Sequence, residues 1–233
     1  MFTLVLLPGL AGNAVMWRSQ LEALRSWRPT VTDVHSQHDS IEAMASALLA
    51  QHAGELVLCG ASMGGMLAMQ AVREAPQRIR GIALLGTNPR PEDERMRALR
   101  EAAIALFEDG RLAEVIEPNV GFAFHPEHAR DRALVEAYLG FVYEAGAAQL
   151  IRQNRAVMAR PDAREHLPNV TCPVLVMCGE DDQLTPPECS REIASLVAHA
   201  ELVTVPRCGH MLTMEQPQIV NAQLMRWLAA LAA

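Results

Sequence analysis

Lysine is absent from all 233 residues; the 20 basic side chains are arginines. That removes Schiff-base and pyridoxal chemistry, a P-loop lysine and a Ser–Lys pair. Long apolar runs are also missing, and no segment approaches the ~20 apolar residues of a membrane span. Cysteine is sparse: five residues, odd in number and without a C-x-x-C pair. They fit core thiols in a reducing cytoplasm better than a disulfide framework. Charge is not concentrated either. A net charge of −7 with no like-charge run argues against nucleic acid as a partner. The apolar start, Met1 to Leu7, lacks the basic flank of a secretion signal. Pro8-Gly9 breaks it after a strand's length.

Half of the residues are apolar, enough for one large domain, or one domain with an insertion, around a sizeable core. Leu4 to Leu7 reads as a buried strand closed by Pro8-Gly9-Leu10-Ala11-Gly12. Helix spacing follows over Ala14 to Trp27, and Thr30 to Val34 is a short β-branched strand. Asp39 and Glu42 are spaced as a capping box for the next helix. Further strands are expected at Leu56 to Cys59, Ile79 to Leu85, Val174 to Cys178 and Ala200 to Val205, with helices at Pro186 to Val197 and Gln216 to Ala230. Strand–helix alternation of this kind predicts an α/β fold with a mostly parallel sheet covered on both faces. From 88 to 168 the spacing is helical throughout. The expected division is therefore a core of 1–87 and 169–233 with a helical cap or lid insertion between. Six of the ten aromatics fall between 107 and 143. They either form the insertion's own core or face a ligand cavity; Phe122, Phe124, Tyr138 and Phe141 are the candidates for substrate contact.

Gly60-x-Ser62-x-Gly64 lies between an apolar strand and a helix pattern. A serine lifted clear of a sheet must occupy a strained turn whose flanking positions admit only glycine. At about 7% each for glycine and serine, this pattern arises by chance in roughly one chain in fifteen of this length, so partners have to decide. Two loops follow the last two strands: Gly179-Glu180-Asp181-Asp182-Gln183-Leu184-Thr185-Pro186 and Pro206-Arg207-Cys208-Gly209-His210. In a parallel sheet, loops leaving strand carboxyl ends share one rim. A serine, an acidic pair and a histidine are thereby brought to one edge, in that order.

With G-A-S-M-G-G, G-E-D-D-x-x-x-P and P-x-x-G-H in sequence, the chain resembles the α/β-hydrolases over roughly 4–86 and 172–230. The resemblance implies Ser62 as nucleophile, His210 as base, and the backbone N–H groups of Leu10 and Met63 as oxyanion hole. It selects Asp182 as the orienting acid, with Asp181 as the alternative. It implies a serine hydrolase for a small-molecule carboxylic ester or related acyl bond, with no cofactor and no metal. The same scaffold hosts enol-lactone and carbon–carbon bond hydrolysis, acyl transfer and eliminations, and a receptor that lost turnover is a rival outside enzymology. Thr185-Pro186-Pro187-Glu188 and Met214-Glu215-Gln216-Pro217 are similar to the lactonase and small-ester branches.

Two departures stand out. Pro8-Gly9 replaces the family's usual His-Gly in the oxyanion loop. The two usual leading strands are missing, which predicts a sheet of about six.

His35-x-x-His38-Asp39 and His125-x-x-His128 have metal-like spacing without a third ligand. Cys208 reads as a packing residue. Arg90, Arg95, Arg97 and Arg100 form a solvated helix face or, in one case, meet an anionic substrate.

Overall fold

A computed structural model describes residues 2–232. Its six strands are β1 (Thr3–Leu7), β2 (Thr30–Val31), β3 (Leu56–Ala61), β4 (Ile79–Leu85), β5 (Val174–Gly179) and β6 (Ala200–Val205). They form one sheet in the order β2-β1-β3-β4-β5-β6, and every pairing is parallel. The helices are α1 (Arg18–Ala23), α2 (Val34–Gln37), α3 (Ile41–Gln51), α4 (Met63–Glu74), α5 (Glu94–Glu108), α6 (Leu112–Ala123), α7 (Arg132–Met158), α8 (Pro187–Leu196), α9 (Leu212–Glu215) and α10 (Pro217–Ala232).

Successive side chains of a strand point to opposite faces, and here both faces are apolar. Leu4 and Leu6 of β1 join Val57, Cys59, Ala83, Leu85, Leu175 and Met177 on one face, packed against α10 through Val220, Leu224, Trp227 and Leu228. Val5 and Leu7 join Leu56, Leu58, Ile82, Leu84, Val174 and Val176 on the other, packed against α3, α4 and α8. Such near-continuous apolar strands have no polar side, which is why they read as short runs of Leu, Val and Ile.

Everything between β4 and β5 is helical, as the spacing predicts: α5, α6 and α7 with short 3-10 turns and no strand among the described residues. Helix α7 breaks at Gly146, whose φ of 70° belongs to the left-handed region that glycine tolerates. Phe107, Ile116, Phe124 and Phe141 of this segment join the same cluster as one face of the sheet, whereas Ala156 and Val157 at the end of α7 join the other.

Local expectations need three corrections. Ser40, not Asp39, caps α3; its side chain accepts the Ala43 N–H, and Glu42 sits one position too early for a capping box. The strand from Thr30 ends at Val31, and Val34–Gln37 winds into a helical turn. The helix expected over Ala14 to Trp27 is interrupted, running as 3-10, α and 3-10 pieces.

Glycine positions give a stability test. A Cβ on Gly64 would lie 2.0 Å from the Leu7 carbonyl oxygen, and one on Gly60 would lie 2.2 Å from that of Gly64. Gly140, inside α7, has nothing within 4 Å of its hypothetical Cβ. Gly64→Ala is therefore expected to cost more than the ~1–3 kcal/mol of ordinary overpacking. Gly140→Ala is expected to be neutral or to stabilise by up to about 1 kcal/mol. Thermal or denaturant midpoints check both; equal effects would contradict the close approach at the elbow.

Candidate active site

Register fixes which loops meet. Leu7 of β1 pairs with Gly60 of β3, so the loop that begins at Pro8 leaves beside Ser62. Gly179 of β5 pairs with Val205 of β6, so the loops carrying Asp182 and His210 leave together. Between them, β4 ends at Leu85, and its carbonyl accepts the Ser62 N–H at 2.9 Å.

Ser62 stands between β3 and α4 with φ 53° and ψ −116°. Positive φ is costly for a side chain with a Cβ, about 1–3 kcal/mol, and persists only where neighbours over-determine it. Here they do. Its N–H is held by Leu85, and its carbonyl accepts the Thr87 hydroxyl at 2.7 Å. The glycines on either side let α4 lie against β1 and β3 without a clash. Among the described residues, Ser62 Oγ makes no hydrogen bond within the protein, and the residue borders a cavity of about 260 Å³.

His210 borders the same cavity. Its Nδ1 lies 2.8 Å from Asp182 Oδ2, with the two side chains 8% and 0% exposed. Asp182 is further held by the Thr185 hydroxyl at 2.8 Å and by the Leu184 and Thr185 N–H groups, each at 2.9 Å. Asp181 points elsewhere: its side chain is 45% exposed, and its Oδ2 lies 3.7 Å from the His125 ring. Of the two acids, only Asp182 touches His210. Burial alone would raise the Asp182 pKa, but the charge and hydrogen bond of His210 and the bonds from Thr185 outweigh it and hold the carboxyl below its usual range. Burial alone would likewise lower the His210 pKa, yet the Asp182 charge and hydrogen bond, with the charge of Glu215, leave it raised.

Leu10 and Met63 also border the cavity, and neither backbone N–H has an acceptor among the described residues. The Met63 group is one of the first-turn donors of α4, which no helix can satisfy internally. Two unpaired donors beside a serine hydroxyl, with an imidazole held by a buried carboxylate, can bind a developing oxyanion and relay a proton.

The loop after β1 has no histidine, and its anchors come from elsewhere. Gly12 N–H bonds the Gly9 carbonyl at 2.9 Å, Ala11 N–H bonds Gln153 Oε1 at 2.8 Å, and His35 Nε2 lies 2.8 Å from the Gly12 carbonyl. Gln153 Nε2 then donates to the His35 carbonyl at 3.0 Å. Burial keeps the His35 pKa below its ordinary value, as suits a neutral ring donating to a carbonyl. Gln153 lies on α7 and is fully buried. No local motif announces it, because its partners are 142 and 118 residues away in sequence.

Glu215, which the sequence offered only as part of Met214-Glu215-Gln216-Pro217, proves to hold the loop of His210. Its side chain is wholly buried and accepts from the N–H groups of Gly209 (3.1 Å) and Met211 (3.0 Å), which flank His210. It also accepts from His125 N–H at 2.8 Å and pairs with the His128 ring at 2.9 Å. One carboxylate thus ties the histidine loop to the turn after α6. Of the two histidines only the His128 ring meets Glu215, the His125 ring lying beside Asp181, and no cluster of three metal-ligating side chains exists among the described residues.

The aromatic expectation divides. Tyr138 and Phe141 border the cavity, together with Phe107. Phe122 and Phe124 do not. Phe122 is 52% exposed on the outer face of α6, and Phe124 is fully buried with its ring edge-to-face on Tyr138, 5.3 Å between centroids. Adjacent helix positions point in different directions, so an aromatic count over a segment cannot say which ring faces a ligand. Cys208 is buried as expected, and burial pushes its thiol far above the usual range.

A family model described as "Alpha/beta hydrolase family" matches residues 4–223. The chain is an α/β-hydrolase. Among curated relatives, RutD of Serratia proteamaculans, to which carbamate hydrolysis is ascribed, is 27% identical over 97% of this chain and 90% of its own. Among solved structures, a thermophilic esterase from Thermogutta terrifontis, solved with malate bound, superposes with a TM-score of 0.92 at 25% identity. That match covers 100% of this chain and 91% of the esterase. The enol-lactonase of Burkholderia xenovorans shares the fold, with a TM-score of 0.86 at 19% identity over 98% of this chain and 92% of the other. No helix of this α/β-hydrolase, among the described residues, is long and apolar enough to cross a membrane.

The His210–Asp182 pair has a definite pH signature. Folding raises the His210 pKa and lowers that of Asp182. This pair's contribution to stability is therefore complete between about pH 4 and 6.5, the ordinary acid and histidine values. It is lost as pH rises through the folded His210 value and as pH falls through the folded Asp182 value. In NMR titration the His210 ring is expected to have its midpoint above 6.5. In Asp182→Asn it should fall, because burial is then opposed only by the charge of Glu215. An unchanged midpoint would show that the pair is not charge-coupled.

Proposed function

We propose that this α/β-hydrolase cleaves a carboxylic ester or related acyl bond of a small molecule through an acyl-enzyme on Ser62. The observation that carries this reading is the shared cavity rim: a serine in a strained elbow, two unpaired backbone donors, and a histidine already paired with a buried acid. Ser62 attacks the carbonyl carbon while His210 Nε2 takes its proton. The tetrahedral oxyanion lies against the Leu10 and Met63 N–H groups. Collapse expels the alcohol, protonated by His210, and leaves the acyl group on Ser62. Water deprotonated by His210 then releases the acid and restores the serine. Asp182 keeps the ring oriented and stabilises its protonated form. Helical residues 88–168 serve as the cap that encloses the acyl chain, with Tyr138 and Phe141 on its underside.

A cavity of about 260 Å³ is smaller than the ~300–1,000 Å³ of drug-sized ligand sites, which supports a short substrate. A second reading, carbamate hydrolysis by the same steps, is favoured by the RutD relatives spanning nearly the whole chain. Rates on an ester and a carbamate with the same leaving group would rank the two.

A fluorophosphonate probe is expected to label Ser62, and p-nitrophenyl acetate or butyrate to turn over steadily. Ser62→Ala should abolish labelling and lower kcat by about 10⁴-fold or more. Folded protein that neither labels nor hydrolyses such esters would refute the acyl-enzyme.

A further inference from the structure

Arg100, on α5, borders the cavity. Among the described residues it is the only arginine to do so, no Asp or Glu borders the cavity, and His210 is the only other basic side chain there. The side chain is held in place from behind. Its Nε donates to Glu92 at 2.5 Å and its Nη1 to Asn154 Oδ1 at 2.8 Å. Nη2 has no acceptor among the described residues. Glu92 is shared: Arg160 Nη1 also lies 2.9 Å from it, with the Arg160 and Glu92 side chains 3% and 4% exposed. Two guanidinium groups therefore face one carboxylate, and the cluster carries a net positive charge. Burial would raise the Glu92 pKa, but the hydrogen bond from Arg160 and the charges of both arginines leave it lowered, so its charge is already committed. Arg100 is only 24% exposed, and the chamber it borders is largely apolar. The other polar side chains on the walls contributed by residues 88–168 are neutral: Asn119, Tyr138 and Asn154.

A guanidinium that shares its one carboxylate with a second arginine, immobilised by two hydrogen bonds at the wall of a small, largely apolar cavity, favours one kind of ligand group. Arginine presents donors in a rigid plane that matches a carboxylate. We infer that the substrate carries a carboxylate remote from the scissile bond, and that Arg100 receives it while the reacting carbonyl lies at Ser62. Arg100 is then a specificity-determining residue, and the substrate class narrows to short acyl compounds bearing one anionic end. This rests on the acyl-hydrolase reading above. A neutral ester leaves the free donors without a partner, whereas an anionic one supplies the missing acceptor.

Matched pairs test this without a variant. Monomethyl and dimethyl succinate, glutarate and adipate place the charge on the acyl side. Butyrylglycolate and its methyl ester place it on the alcohol side. In at least one pair the anionic member is expected to have the higher kcat/KM, and Arg100→Gln should lower the anionic-to-neutral ratio by about 10- to 100-fold. High salt should reduce the same ratio. Preference for the neutral member in every pair, or a ratio unmoved by Arg100→Gln in a folded protein, overturns the assignment. A separate arm does not need turnover. Glutarate binding to Ser62→Ala, read by calorimetry, is expected and should weaken by a similar factor in Ser62→Ala/Arg100→Gln. If no ester is hydrolysed yet glutarate binds through Arg100, the acyl-hydrolase reading fails and the anion site stands. If esters are hydrolysed and glutarate binding is absent or indifferent to Arg100, the anion site fails alone.

Discussion

Ser62 occupies backbone that its own side chain disfavours, and the rest of the rim is arranged around keeping it there. The elbow works only because α4 can lie almost in contact with β1 and β3, and that contact is possible only with hydrogen at 60 and 64. Gly65 completes the set, since a Cβ there would lie 2.7 Å from the Thr87 side chain that holds the Ser62 carbonyl. The sheet supplies the opposing force. Apart from exposed Arg80 near the start of β4, the residues of β3 and β4 are buried on both faces, so the turn cannot relax by shifting the strand.

Two buried side chains extend this rigidity to the neighbouring loops. Gln153 fixes the loop after β1 from α7, and Glu215 fixes the loop after β6 from α9. Both bond backbone N–H groups that would otherwise be buried without partners, a loss of about 1–3 kcal/mol each. Both also tie the helical segment to the sheet rim: Gln153 belongs to it, and Glu215 reaches His125 and His128. The loops carrying Leu10 and His210 are therefore positioned by two side chains that do not themselves border the cavity. Gly86 shows how tightly the rim is packed. At φ 51° it follows β4, and a Cβ there would lie 3.2 Å from Asp182 Oδ2 and 3.5 Å from His210 Nδ1.

Much of this was legible in the chain. The parallel sheet followed from apolar runs alternating with helix spacing, and β6 falls where the pattern put it, at Ala200–Val205. The elbow was legible because its physical requirement, glycine on both sides of a serine, is written within five residues. Choosing Asp182 over Asp181 required the family pattern, because spacing alone left both open, and the hydrogen bond to His210 supplies the physical reason. What stayed hidden depends on contacts remote in sequence. Gln153, Glu215 and Glu92 are ordinary polar residues until the fold brings their partners to them, and only the fold separates Arg100 from Arg90, Arg95 and Arg97, the other arginines offered to an anionic substrate. Ser40 and Asp39 show the local limit: adjacent capping residues compete, and the turn geometry decides between them.

The most direct test is the structure of the protein after reaction with a small alkyl phosphonate ester. If the elbow, the two free N–H groups and the paired histidine form one machine, phosphorus will be bonded to Ser62 Oγ. Its non-bridging oxygen will then sit about 3 Å from both the Leu10 and Met63 nitrogens, with His210 Nε2 facing the leaving-group position. An adduct whose oxygen turns to solvent, or whose phosphorus lies on another residue, would contradict it.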